Sequence, residues 1–291
     1  MVLFLILILF QEKLQRTLRD SKAARWTALA IVAFTMLCGY YLADVMAPLK
    51  GLLEKELLWN STEYGFFTSA YGWFNVFLMM LILGGIILDK MGVRFTGVMA
   101  SSIMVAGAAI KYWAISTHAL DGGVILGMKS QVVIAALGYA TFGVGVEIAG
   151  ITVSKIIVKW FKGKELALAM GLEMATARIG TTLALSTSVP IANAFGTVST
   201  PILFCLVMLC IGLISFIVYT FMDKKLDASI AKDNEGKDIE PEEEFKLSDI
   251  LVIVKNKGWW YIAILCVLFY SAVFPFLKYA TDLMVQKFGV D

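Results

Sequence analysis

Gly85-Ile86-Ile87-Leu88-Asp89-Lys90-Met91-Gly92-Val93-Arg94 is a short charged turn between two apolar stretches, 64–88 before it and 96–115 after it. Each stretch supplies the roughly 20 apolar residues that a helix, rising about 1.5 Å per residue, needs to cross a hydrocarbon core of about 30 Å. Gly85 and Gly92 permit a tight helix-to-helix reversal and a close backbone approach. Asp89 suits the positive N-terminal end of a neighbouring helix, and Arg94 is placed to pair with it. The turn reads as the hairpin between two membrane-spanning helices.

Working outward, five further stretches have the same character, at 26–46, 131–158, 166–189, 199–222 and 259–280. Seven spans account for a composition that is 59% apolar and only 16% charged, with a mean hydropathy of +0.79. A soluble domain of this length keeps about a quarter of its residues charged. Met1–Phe10 is also apolar but too short to span. It lacks a basic segment before it and a small-residue cleavage site after it, so it reads as interfacial rather than as a signal peptide. A net charge of +2 gives nucleic acid no electrostatic footprint. Cys38, Cys205, Cys210 and Cys266 fall within apolar stretches without metal-like spacing and read as small apolar residues. His118, the one histidine, lies in a loop, which argues against a histidine triad or a histidine-ligated zinc. No span carries a nucleophile–base pair or a ligand cluster at helical spacing, so we expect neither an enzyme nor a bound metal or cofactor.

Basic residues in the short loops set the direction of insertion. Lys13, Arg16, Arg19, Lys22 and Arg25, then Lys90 and Arg94, then Lys155, Lys159, Lys162 and Lys164, then Lys224 and Lys225 all fall on one side. The other side offers Lys50, Lys55, Lys129 and, at a helix end, Lys111. The bias predicts a cytoplasmic N-terminus and argues against a seven-span receptor, which would place it outside.

Asp223–Lys257 is the long polar stretch, with Asn234-Glu235-Gly236-Lys237 and Pro241-Glu242-Glu243-Glu244. It reads as a solvated, flexible cytoplasmic linker. The chain then divides into an N-terminal segment 1–25, a six-span bundle 26–222, a linker 223–258 and one further span within 259–291. Six spans, a long inside loop and more spans is the layout of major facilitator carriers. We expect an all-α membrane protein, a six-helix bundle plus the first helix of a second half. The remaining spans would lie beyond Asp291, or an accessory membrane subunit would complete the molecule.

The motifs agree. The G-x-x-x-D-K-x-G-x-R turn, Gly85, Asp89, Lys90, Gly92 and Arg94, resembles the signature loop of the major facilitator superfamily, with Val93 in place of its second basic residue. The resemblance implies a latch that breaks and reforms as the halves rock. Lys159-Trp160-Phe161-Lys162-Gly163-Lys164-Glu165-Leu166-Ala167, leading to Ala177-Arg178-Ile179-Gly180, resembles the lysosomal dipeptide carrier branch of that superfamily. Tyr71-Gly72-Trp73-Phe74-Asn75-Val76 and Leu268–Phe276 agree with it, so the likeness covers roughly residues 30 to 290. Span four lacks the usual arginine-bearing start, and span five lacks the glycine–proline run of drug antiporters.

A charge at the bilayer centre costs about 2.5–3.5 kcal/mol on insertion scales, so each asks for a reason. Glu147 and Arg178 stand equally far from the turn between spans four and five, which places them at one depth near the midplane. Residues alone leave two readings open, a structural ion pair or a site for a zwitterion, with Arg178 taking a carboxylate and Glu147 an ammonium. The resemblance favours the second and implies a dipeptide cargo moved by alternating access. Tyr40, Tyr41, Tyr71, Asn75 and Tyr270 are candidate cavity residues; Lys162, Gly163, Lys164 and Glu165 join the candidate latch. Asp44 reads as a solvated end charge, Lys111 and Lys278 as snorkelling, and Glu173 as facing either the cavity or a lysine of the turn. Gly138, Gly143 and Gly145, and the stripe Ala167, Gly171 and Ala175, read as helix contacts. Other cargoes (an organic anion, a sugar, a drug), a non-transporting half-carrier acting as scaffold, and the choice between uniport and symport stay open. The location would be the cytoplasmic membrane in a prokaryote or the lysosomal membrane in an animal.

Overall fold

The computed structural model describes residues 18–233 and 247–289. The apolar segment Met1–Phe10, the basic residues Lys13 and Arg16, and the acidic run Pro241–Glu244 lie outside the described residues. Among the described residues ten α-helices follow in order: α1 Lys22–Asp44, α2 Lys50–Glu56, α3 Ser61–Ser69, α4 Trp73–Phe77, α5 Met80–Ser116, α6 Ser130–Phe161, α7 Leu166–Phe195, α8 Thr200–Asp233, α9 Leu247–Lys255 and α10 Lys257–Phe288. Val124–Ile125 and Met128–Lys129 form a two-residue antiparallel hairpin before α6. Its turn has Leu126 and Gly127 both at positive φ, the mirror-image geometry that tight hairpins favour. Among the described residues, α1, α5, α6, α8 and α10 are long and apolar enough to cross a membrane. The seven sequence stretches fall on these five, on the 30-residue α7 and on the broken run α3–α4. Thr and Ser residues, with Glu173 and Arg178, break up the apolar run of α7.

The second stretch departs from the expectation of one continuous helix. It is α3, a 3₁₀ turn over Ala70–Gly72, and α4, followed by a break at Leu78–Met79 where Met79 has φ +50°. Tyr71-Gly72-Trp73-Phe74-Asn75-Val76-Phe77 is a run of weak helix formers, which explains the interrupted winding. Nothing in the sequence explains the positive φ at Met79.

The reversal expected at the charged turn rests on one residue. At 37 residues α5 would be about 55 Å long if straight, nearly twice a hydrocarbon core. Gly92 interrupts it at φ +75°, ψ +173°, a conformation essentially restricted to glycine. Gly85 makes no close approach; its neighbour Gly84 does, against Ile148.

Glycines also set the spacing of α5 and α6. A methyl group on Gly107 would meet the Phe142 backbone nitrogen at 2.3 Å, and one on Gly138 the Lys111 nitrogen at 2.6 Å. A methyl group on Gly145 would come as close to Met104 and Ala100, and one on Gly143 would meet the Tyr71 carbonyl oxygen at 2.2 Å, so the expected span-four contacts are present. The stripe Ala167, Gly171 and Ala175 is instead exposed. The face of α7 that packs is Ala169, Ala177, Gly180 and Ala184, with Gly180 against the Leu37 carbonyl.

The polar stretch from Asp223 is not loop at its start. α8 runs on to Asp233, with Asp223 and Leu226 fully buried, and α9 restores helix before α10. Asp223 and Asp227 stand one turn apart on α8 and face basic residues of α5 and α6, which extends the helix past its apolar limit.

Gly92→Ala adds a side chain into open space, so its effect isolates the backbone conformation. We expect a loss of about 1–3 kcal/mol, read as a lower melting temperature of the protein in detergent. An unchanged melting temperature would show that the reversal does not need glycine there.

Candidate functional site

A cavity of about 360 Å³ lies among α1, α6, α7, α10 and the 3₁₀ turn after α3. Glu147 enters from α6 and Arg178 from α7, so the two groups placed at one depth by sequence line one cavity. Among the described residues neither has an ion-pair partner. Glu147 Oε1 accepts a hydrogen bond from the Tyr71 hydroxyl at 2.6 Å. The Arg178 guanidinium lies over the Tyr40 ring, 5.2 Å from its centroid. A phenol and an aromatic face hold two opposite charges without neutralising either.

The other candidates divide. Tyr71 is in the wall, and Tyr40 joins it. Tyr41 is turned into the core: its hydroxyl meets Thr187 Oγ1 at 2.5 Å and its ring packs on Phe204. Successive helix residues point about 100° apart, so Tyr40 and Tyr41 cannot share a face. Asn75, in α4 beside the break, does not line the cavity, and its amide atoms are buried without a hydrogen-bond partner. Tyr270 backs the wall instead of forming it, stacked at 5.1 Å on the cavity residue Phe274. Glu173 is buried, does not line the cavity and pairs with no described lysine.

Three readings of isolated charges are corrected. Asp44 is not a solvated end charge, and Lys278 does not snorkel. Lys278 Nζ pairs with Asp44 Oδ1 at 2.7 Å, donates to the Ala43 carbonyl, and reaches the Tyr139 hydroxyl at 3.1 Å. Thr181 donates to the second oxygen of Asp44 at 2.7 Å. Lys111 is fully buried, with Nζ 3.3 Å from the Leu42 carbonyl and 4.9 Å from the Tyr139 ring centroid. Helical spacing held the clue: Asp44 lies one turn after Tyr40 and Lys278 one turn after Phe274, each on a cavity face.

At the lysine-rich end the candidate latch residues make ion pairs different from those expected. Asp89 pairs with Lys155 at 2.8 Å, not with Arg94. Arg94 reaches across to Asp227 at 2.7 Å and Asp223 at 3.6 Å, and Lys159 joins both carboxylates at 2.7 and 2.9 Å. Tyr219 donates to Asp223 and accepts from the Trp160 indole at 3.0 Å. In the next turn Gly163 has φ +72°, Lys164 pairs with Asp20, and Glu165 pairs with the buried Arg25 at 3.1 Å. Lys90 and Lys162 are exposed. The Glu165 carboxyl is held below the usual carboxylate range, first by a backbone N–H and then by Arg25. A depressed value means that this contact stabilises the fold at neutral pH and is lost only as pH falls through that lowered value.

The comparisons with known proteins follow this geometry. The family profile described as Major Facilitator Superfamily matches residues 17–291. The chain is 28% identical over 277 residues to the lysosomal dipeptide transporter MFSD1 of Homo sapiens, covering 92% of this chain and 55% of the relative. It is 27% identical over 277 residues to that of Bos taurus, with the same coverage. The protein of that name from Danio rerio is 28% identical over 276 residues, 91% of this chain and 55% of the relative. The chain spans about half the length of the curated relatives it matches.

Burial ranks the ion pairs of the lysine-rich end. The Asp223 side chain is 1% exposed, so Asp223→Ala leaves the buried Tyr219 hydroxyl without its acceptor and should cost about 1–3 kcal/mol. Asp89, 46% exposed, should cost less than about 1 kcal/mol on the same change. Melting temperatures of the two variants in detergent check the order, and equal losses would refute it.

Proposed function

Because the chain belongs to the major facilitator superfamily, and is thus a multi-pass membrane protein of a transporter family rather than an enzyme, we propose that it carries dipeptides or similar zwitterions by alternating access. One observation supports the cargo most directly: Glu147 and Arg178 share a cavity without pairing with each other. Uncompensated charges at membrane depth are costly, and a ligand bearing one ammonium and one carboxylate neutralises both. The Arg178 guanidinium offers a planar fork to a carboxylate. Glu147, steadied by Tyr71, accepts from the ammonium. The small cavity, walled by Tyr40, Tyr71, Tyr139 and Phe274, suits a short peptide with modest side chains. The relatives named as dipeptide transporters agree with this cargo.

In this reading residues 26–222 form the N-terminal bundle, 223–258 connect it to the second half, and α10 is the first helix of that half. The lysine-rich end, with Arg25, Lys155 and Lys159, faces the cytoplasm by the positive-inside rule. Its ion pairs serve as the latch of the N-terminal half, centred on Asp223 and Asp227. A lysosomal membrane in an animal, or the cytoplasmic membrane in a prokaryote, is the location that fits.

Arg178→Ala and Glu147→Gln in the full-length carrier should each lower labelled-dipeptide counterflow in liposomes at least about tenfold, the loss of one charge-assisted contact. Tyr71→Phe should weaken it less. Counterflow untouched by both charge substitutions would refute the site, and saturable counterflow of a sugar or a simple organic anion in place of dipeptide would refute the cargo.

A further inference from the structure

The helix α10 leans on the bundle at one end only. From Leu251 through Ala272 its residues and those before it are exposed except Ala263, whereas Leu277–Asp282 are partly buried. The contacts there are specific. Lys278 inserts between α1 and α6, bound by Asp44, the Ala43 carbonyl and Tyr139. The Tyr64 hydroxyl donates to the Lys278 carbonyl at 3.3 Å, and the rings of Tyr64 and Tyr279 meet edge-on at 5.6 Å. Gly65 makes room for the Tyr279 hydroxyl, 3.4 Å from where its methyl group would be. One turn further on, Lys50 joins Asp282 at 3.0 Å and Glu54 at 2.9 Å.

We propose that Lys278, seated between Asp44 and Tyr139, is the pin that closes the cavity at the lysine-poor end, and that the carrier opens there only by withdrawing it. Every polar atom at this contact has a partner: Asp44 is held by Lys278 and Thr181, while Tyr139 accepts from Lys278 and donates to the Ala43 carbonyl. Such a fully matched group behaves as a closure with two discrete states rather than as a place for cargo. Tyr139 also links the pin to the site, since its ring packs at 5.4 Å on Tyr71, the residue that holds Glu147. Asp44 and Thr181 are positioning residues for the pin, and Lys50–Asp282 is a second, more exposed tie. The opposite end of α10 has no such contact with the bundle among the described residues.

This inference rests on alternating access but not on the nature of the cargo, and its test uses no transported solute. In the full-length carrier with its native cysteines replaced, Ser69→Cys places a thiol in the cavity wall. Its labelling by a membrane-impermeant maleimide, applied from the lysine-poor side, reports opening at that end. Lys278→Met should raise the labelling rate about tenfold, because breaking one buried pair outweighs the small gap between carrier states. The exchange Asp44→Lys with Lys278→Asp should return it to the starting rate, which also separates a lost pin from a misfolded protein. Labelling unchanged by Lys278→Met, or an exchange that does not restore closure, would overturn the proposal.

Discussion

Inside a bilayer a charged side chain has no bulk water to fall back on, so it is matched, wrapped by aromatic rings, or left to meet a ligand. Most of the charged groups around the cavity and at the two ends sort by that constraint. Asp223 is matched by Lys159 and Arg94, and Asp44 by Lys278. Lys111 is wrapped by Tyr139 and Phe67. Glu147 and Arg178 alone among the charged cavity residues face each other's space without an opposite charge in contact. Matched groups sit toward the two ends of the bundle, and the unmatched pair sits between them. In the proposed reading, the ends hold or release and the middle stays incomplete until cargo arrives.

The helices can hold that middle open because they touch tightly elsewhere. Gly107, Gly138 and Gly145 bring the backbones of α5 and α6 together, and Gly180 does the same for α1 and α7. Helix association in lipid depends on such close van der Waals contact, since lipid tails compete equally for apolar side chains. The tight pairs act as rigid walls. The weakly wound run from Tyr71 to Met79 and the end-on contact of α10 are the softer parts.

Much of the fold was legible in the sequence because apolar length is a property of the chain itself. The depth match of Glu147 and Arg178 followed from their spacing about one hairpin, and both reach one cavity. The resemblance in the two charged turns pointed to the superfamily that the profile over residues 17–291 shows. What remained hidden depended on partners far away in sequence. Asp44 and Lys278 looked like separate end charges because 234 positions divide them, and only the fold makes them a pair. Asp223 looked like the start of a solvated linker because its composition is polar there, whereas Lys159 and Arg94 draw it into the structure. Tyr41 was misplaced for a simpler reason: adjacent tyrosines on one helix cannot both face the same cavity.

The central claim is that a carboxylate and a guanidinium read the two ends of a zwitterion. Competition by end-blocked dipeptides against labelled-dipeptide counterflow tests it most directly. Acetylating the amine removes the group meant for Glu147, and amidating the carboxylate removes the group meant for Arg178. The account predicts that both blocked peptides compete far less well than the free parent, each being weakened by at least about tenfold. Blocked peptides that compete as well as the parent would contradict it.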